Sequence, residues 1–325
     1  MFNNNTINPF LDQIVFTIDS MCEKKDIPQE LVDYLYLVCS GMILYYGLDY
    51  TKEIYQSIND TKYIYGLKDL ETKLTPAEYN RIKNKINYRE NAYAISQVNS
   101  TYINDKVNKI LNITYTLLIA RNTPNKEELL EFITHELNHI LSSINNTFTY
   151  TEDSIYFRYG LFKTKIGKDN DETGRILNEI INTLQTEDII KIIIDLKKYK
   201  INNPKFNNAL NSIITTLDSK KYVASGYETF VNLYRPLFSN QEFKSTINKC
   251  ILDGNIEDLE KKINTQLGTH SYTRMNLLLD SLYQSFEDTR NINIHKAYQT
   301  SVLYTTLKDK YIYELLGIKP MIRYN

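Results

Sequence analysis

The chain has 325 residues, enough to bury a sizeable core as one large domain or as two or three smaller ones. Its formal net charge of −1 excludes an electrostatic case for nucleic acid or an anionic membrane surface as partner. Three cysteines, Cys22, Cys39 and Cys250, odd in number and far apart, exclude a disulfide framework and a zinc-finger spacing.

The N-terminus, Met1-Phe2-Asn3-Asn4-Asn5, has neither the basic nor the apolar region of a signal peptide, so the expectation is a reduced, cytoplasmic protein. Apolar periodicity predicts helices over Phe10 to Cys22, Pro28 to Tyr46 and Asp49 to Ile58. Leu31 to Leu48 is the most apolar stretch, but Asp33 and Ser40-Gly41 interrupt it and it is short for a span, so it reads as a buried helix and no membrane is expected. Thr75-Pro76-Ala77-Glu78 predicts another helix start, running on through Ile82 and Ile86. Ile113 to Ala120 is β-branched and aromatic, which predicts a strand; at a sheet edge it could pair with an extended substrate, and the alternative is a buried strand or helix without ligand contact.

Next comes Glu131-Phe132-Ile133-Thr134-His135-Glu136-Leu137-Asn138-His139-Ile140-Leu141, which holds two of the chain's four histidines in H-E-x-x-H. On a helix, residues four apart share a face, so the imidazoles of His135 and His139 can reach one metal ion. Glu136 follows the first ligand directly, where a carboxylate can take a proton from an activated water. Thr123-Pro124 predicts the start of this helix, Glu127 and Glu128 suit its first turn, and Leu130, Ile133, Leu137, Ile140 and Leu141 supply its apolar stripe. The histidines project from the side opposite much of that stripe.

Phe148 to Ile166 reads as a β-hairpin turning at Glu152-Asp153-Ser154, and a long helix is predicted over about 172–198. Catalytic zinc (Zn2+) takes three protein ligands, so a third must come from elsewhere. Glu179 sits at the centre of a polar stripe on the long helix and is the candidate, with Glu172 and Glu187 as alternatives. Beyond it, about 240–325 reads as further helices (Ile256 to Leu267, Tyr272 to Phe286, Lys296 to Leu316) with no other metal or nucleotide motif.

H-E-x-x-H followed by Asn178-Glu179 on a later helix resembles the gluzincin zinc metallopeptidases, the thermolysin-like group in which a downstream glutamate completes the site. The 39 residues between His139 and Glu179 are nearer the spacing of clostridial neurotoxin light chains than that of thermolysin. The resemblance covers roughly 110–190. It departs from the pattern one turn after the glutamate, where thermolysin-like enzymes carry an aspartate and this chain has Thr183. ImmA/IrrE-like regulatory proteases share the H-E-x-x-H and a later acidic ligand, but not the residues around Ile180.

The resemblance implies a predominantly helical α+β fold. A zincin-like catalytic core with a small sheet (101–239) would be flanked by helical N-terminal (1–100) and C-terminal (240–325) regions. It implies a zinc-dependent metallopeptidase acting on a peptide or protein substrate. His135, His139 and Glu179 would be the ligands and Glu136 the general base. Stabilising the oxyanion needs one more donor, for which Tyr227 is the nominee and Arg235, Tyr156, Tyr159 and His270 are alternatives. His270 and His295 otherwise read as surface histidines. The rival expectations are a catalytically silent zinc-binding or protein-interaction module that keeps the fold, and a helical protein in which the motif is accidental.

Overall fold

The computed structural model describes residues 4–76, 79–80, 92–103, 106–119, 125–145, 147–150, 155–166, 172–215, 228–287 and 294–318. Its backbone divides into two compact units. One comprises Met1–Thr101, Lys109–Ile144 and Gln185–Ala224, and the other Tyr102–Asn108, Asn145–Leu184 and Ser225–Asn325.

The first unit opens with helices α1 (Asn4–Lys24), α2 (Gln29–Tyr46) and α3 (Thr51–Asp60), close to the predicted spans. From Leu31 to Ile43 only Asp33 of α2 escapes burial, so the apolar stretch is a core helix. Among the described residues no helix is long and apolar enough to cross a membrane. Strand β1 (Thr61–Tyr65) leads into α4 (Gly66–Lys73). The Tyr79 amide then donates to the Thr75 carbonyl at 2.9 Å, as a helix start there requires, while the continuation to Ile82 and Ile86 lies outside the described residues.

Strands β2 (Ala92–Ile103) and β3 (Lys106–Ile119) complete a three-stranded sheet of order β1-β3-β2. β1 runs parallel to β3, from Thr61 opposite Tyr115 to Tyr65 opposite Ile119. Of the two expectations the buried strand holds and the edge strand does not, because β3 lies in the middle with a neighbour on each side. Its sequence carries the physical reason: Tyr115 to Ile119 are all buried, and a strand covered on both faces reads as a continuous apolar run. The outer strands are β1 and β2.

Helix α5 (Lys126–Ile144) carries the H-E-x-x-H, and α7 (Pro204–Ile213) packs in the same unit. Between them in sequence runs α6 (Arg175–Asp195), which contributes residues to each unit. Gly41 of α2 faces α6 so closely that a Cβ there would come within 2.7 Å of Ile193 Cγ1 and 2.9 Å of Ile189 Cγ2.

In the second unit the predicted hairpin is part of a larger antiparallel sheet of β4 (Thr147–Tyr150), β5 (Ile155–Tyr159), β6 (Phe162–Ile166) and β7 (Glu172–Thr173), in that order. The Glu152-Asp153-Ser154 turn lies outside the described residues. The long helix does not begin at Glu172 as predicted. Glu172 and Thr173 pair with Thr164 and Lys163, so the edge of β6 captures them first. Gly174, at φ +75°, then turns the chain, and its carbonyl accepts the first helical bond of α6 from the Asn178 amide at 2.9 Å.

A Cβ on Gly174 would overlap the Leu161 carbonyl oxygen, which as a backbone atom cannot rotate aside. Gly174→Ala is therefore expected to lower stability by more than the about 1–2 kcal/mol of left-handed backbone strain alone. A shift of the urea unfolding midpoint would show it, and an unchanged midpoint would contradict this account.

Helices α8 (Glu228–Ser239), α9 (Gln241–Asp253), α10 (Glu257–Leu267), α11 (Ser271–Glu287) and α12 (Ile294–Thr306) follow. A π-helical segment, Leu307–Tyr313, interrupts the predicted Lys296–Leu316 helix, which resumes as α-helix at Glu314 and Leu315. They share one core with α6, in which Leu177, Ile180, Ile181 and Leu184 meet Phe230, Tyr234, Leu279 and Leu282.

Candidate metal centre

Helix α5 is set by local chemistry before it meets a neighbour. Its cap is Asn125, not the predicted Thr123-Pro124, which lies outside the described residues. The Asn125 side-chain oxygen accepts from the Glu128 amide at 2.7 Å, and its carbonyl accepts from the Leu129 amide at 3.0 Å. Asparagine satisfies an orphan N–H as well as threonine does, and Glu127 and Glu128 then fall in the first turn as the helix dipole favours.

Leu130, Ile133, Leu137 and Ile140 are fully buried, each contributing about 1.5–3 kcal/mol of apolar burial. That stripe fixes the rotation of the helix and leaves His135, Glu136 and His139 half-buried. At its C-terminal end, the Ser142 and Ser143 hydroxyls donate to the His139 carbonyl at 2.7 and 2.8 Å, and the Tyr115 hydroxyl of β3 donates to the Ser143 carbonyl at 3.0 Å.

The two imidazoles stand edge to face, with ring centroids 4.8 Å apart, and their Nε2 atoms approach to 3.2 Å. Two lone pairs on one tetrahedral zinc, with bonds of about 2.0–2.1 Å, would be held about 3.3 Å apart. Either one Nε2 carries a proton and donates to the other, or both face a shared cation with their ring protons on Nδ1.

A third group is compatible with the second arrangement. One ligand atom each from His135, His139 and Glu179 lies within 4.8 Å of the others, and all three side chains are half-buried, so a ligand can reach them from solvent. Among the described residues this is the one grouping of three such donors. A carboxylate joining two facing imidazole nitrogens is a donor set for a cation, since a hydrogen bond between the rings needs no third partner.

Glu179 is placed by α6. The neighbouring Asn178 accepts the Leu161 amide on its side-chain oxygen at 2.9 Å, which ties the start of the helix to the β5–β6 turn. Thr183, standing where an aspartate was expected from the resemblance, donates its hydroxyl proton back to the Glu179 carbonyl at 2.9 Å. Of the alternative ligands, Glu187 is half-buried farther along α6 and Glu172 lies in β7.

The nominated oxyanion donor Tyr227 lies outside the described residues. Arg235 sits half-buried on α8, and Tyr156 on β5 has the Lys163 ammonium 4.3 Å above its ring. His270 is exposed, at φ +64°, just before α11.

Beside the ligand face stands Asn138, to which its place in the motif assigned no role. It is buried and bridges three helices. The Tyr46 hydroxyl at the end of α2 donates to its Oδ1 at 2.6 Å, and its Nδ2 donates to Gln185 Oε1 of α6 at 2.9 Å. It lines up at helical spacing with Glu131, Thr134 and Ser142, all buried, and that polar row beside the apolar stripe was the available signal.

No protein-family model matches the chain, and no curated protein or solved structure matches it.

Proposed function

We propose that the chain is a zinc metallopeptidase of gluzincin type, and the observation that carries this reading is the meeting of Glu179 with His135 and His139. Nitrogen and carboxylate donors of this kind suit zinc, and a set of three leaves a fourth position for a reactant. Bound there, the metal supplies a Lewis acid that acidifies water and polarises a peptide carbonyl. Glu136, next in sequence to His135 and half-buried, takes the proton from the attacking water and returns it to the leaving amine. The developing oxyanion calls for a further donor, and Tyr227 is the residue we nominate.

The half-buried state of all three ligand side chains supports access by a peptide or protein substrate. The rival is a zinc-binding module without catalysis, and a peptide library separates the two. Hydrolysis is expected to cease when a chelator strips the protein and to return when zinc alone is restored. A protein that holds stoichiometric zinc yet cleaves nothing supports the silent module instead.

A further inference from the structure

We propose that the buried amide of Asn138, held between Tyr46 and Gln185, is the positioning element that sets the register of α5 against α6 in which His135 and His139 meet Glu179. The inference rests on reading that triad as a metal centre.

Asn138 stands between the ligands on α5, next to His139 and three residues from His135. Gln185 stands on the same helix as Glu179, six residues on, which is about 9 Å along the axis. The Asn138–Gln185 bond therefore joins the element carrying two ligands to the element carrying the third. Apolar contact fixes which face of α5 is buried, but the hydrophobic effect has no direction and sets sub-ångström placement less sharply than a hydrogen bond does. Ligand distances tolerate only about 0.2 Å, whereas a slip of one residue moves a helix by about 1.5 Å. A hydrogen bond weakens steeply with distance and angle, so a buried pair sharpens the placement that apolar packing sets more coarsely.

Burial pushes the Tyr46 phenol well above its ordinary pKa, so it stays a neutral hydroxyl, here donating to Oδ1. That leaves Nδ2 of the same amide facing the Gln185 oxygen, and both ends of Asn138 are used in one orientation.

The test is zinc affinity, read by competition with a chromophoric chelator, for wild type, Tyr46→Phe, Gln185→Met and the double variant. Melting temperatures are taken with and without zinc. Each single change is expected to weaken zinc binding about tenfold, as loss of an outer-shell partner does. The double variant should lose little more than the worse single one, because both act through one amide. The zinc-induced rise in melting temperature should shrink while the metal-free proteins still melt cooperatively.

A merely structural role would lower both melting temperatures alike and leave affinity unchanged, and that result overturns the proposal. If Gln185→Met does not fold, Tyr46→Phe, which removes a single oxygen, decides by itself. Wild type that takes up no zinc overturns the metal reading and this inference with it. Wild type that binds zinc beside variants of equal affinity overturns this inference alone.

Discussion

Glu136→Gln is expected to lower peptide hydrolysis by about 10²–10⁴-fold, the range supplied by a positioned general base, while zinc uptake stays at the wild-type level. Glutamine keeps the shape of the side chain and its place on α5, but an amide cannot take a proton from water at neutral pH. Glu136 is half-buried and outside the triad of ligand atoms, so the change removes neither core packing nor a metal ligand. The split between chemistry and metal content is the point of the experiment. Lost hydrolysis with lost zinc would mean that Glu136 supports the centre rather than the reaction. Undiminished hydrolysis would remove it from the mechanism.

Removing a ligand should produce the opposite split. His139→Ala and Glu179→Ala are each expected to weaken zinc binding by more than the about 10–100-fold that loss of an outer-shell partner costs, because a direct bond is gone. Metal content after dialysis at limiting zinc would show it. A second readout comes from linkage, since a metal that binds only the folded chain stabilises it by an amount set by its affinity. Zinc should therefore raise the melting temperature of wild type and do little for either variant. Zinc kept by Glu179→Ala but lost by His139→Ala would move the third ligand, with Glu187 on the same helix the first alternative and Glu172 the next.

Helix α5 was legible because its evidence is local: two histidines four apart, a carboxylate between them and an apolar stripe at helical spacing all lie within one turn or two. Glu179 was legible as a candidate because a glutamate centred on a polar stripe is also a local pattern. Its meeting with the histidines is not local, and only the fold brings it about. The elements that went astray did so where two local preferences compete. Asp171-Glu172 has the composition of a helix start, yet the open edge of β6 offers Glu172 and Thr173 backbone partners first, and Gly174 provides the turn that lets both preferences be met in sequence. The cap of α5 is Asn125 and not Thr123, in keeping with asparagine being the better N-cap of the two.

The middle position of β3 and the Tyr46–Asn138–Gln185 chain were out of reach for another reason. Tyr46 and Asn138 are 92 residues apart, and Asn138 and Gln185 are 47 apart, so no periodicity couples them.

The donor set of the centre has a consequence for how the protein ages under oxidants. Two imidazoles and a carboxylate include no thiolate, and zinc, if it is the metal held there, has no accessible second oxidation state, so peroxide would find no sulfur ligand to oxidise at this site. The chain's sulfhydryls are elsewhere: Cys39 and Cys250 are buried, and Cys22 is half-buried with its thiol pushed up first by burial and then by the Asp19 carboxylate, which keeps it a poor nucleophile. On the proposed reading, the centre would keep its metal under peroxide that releases zinc from cysteine-ligated sites.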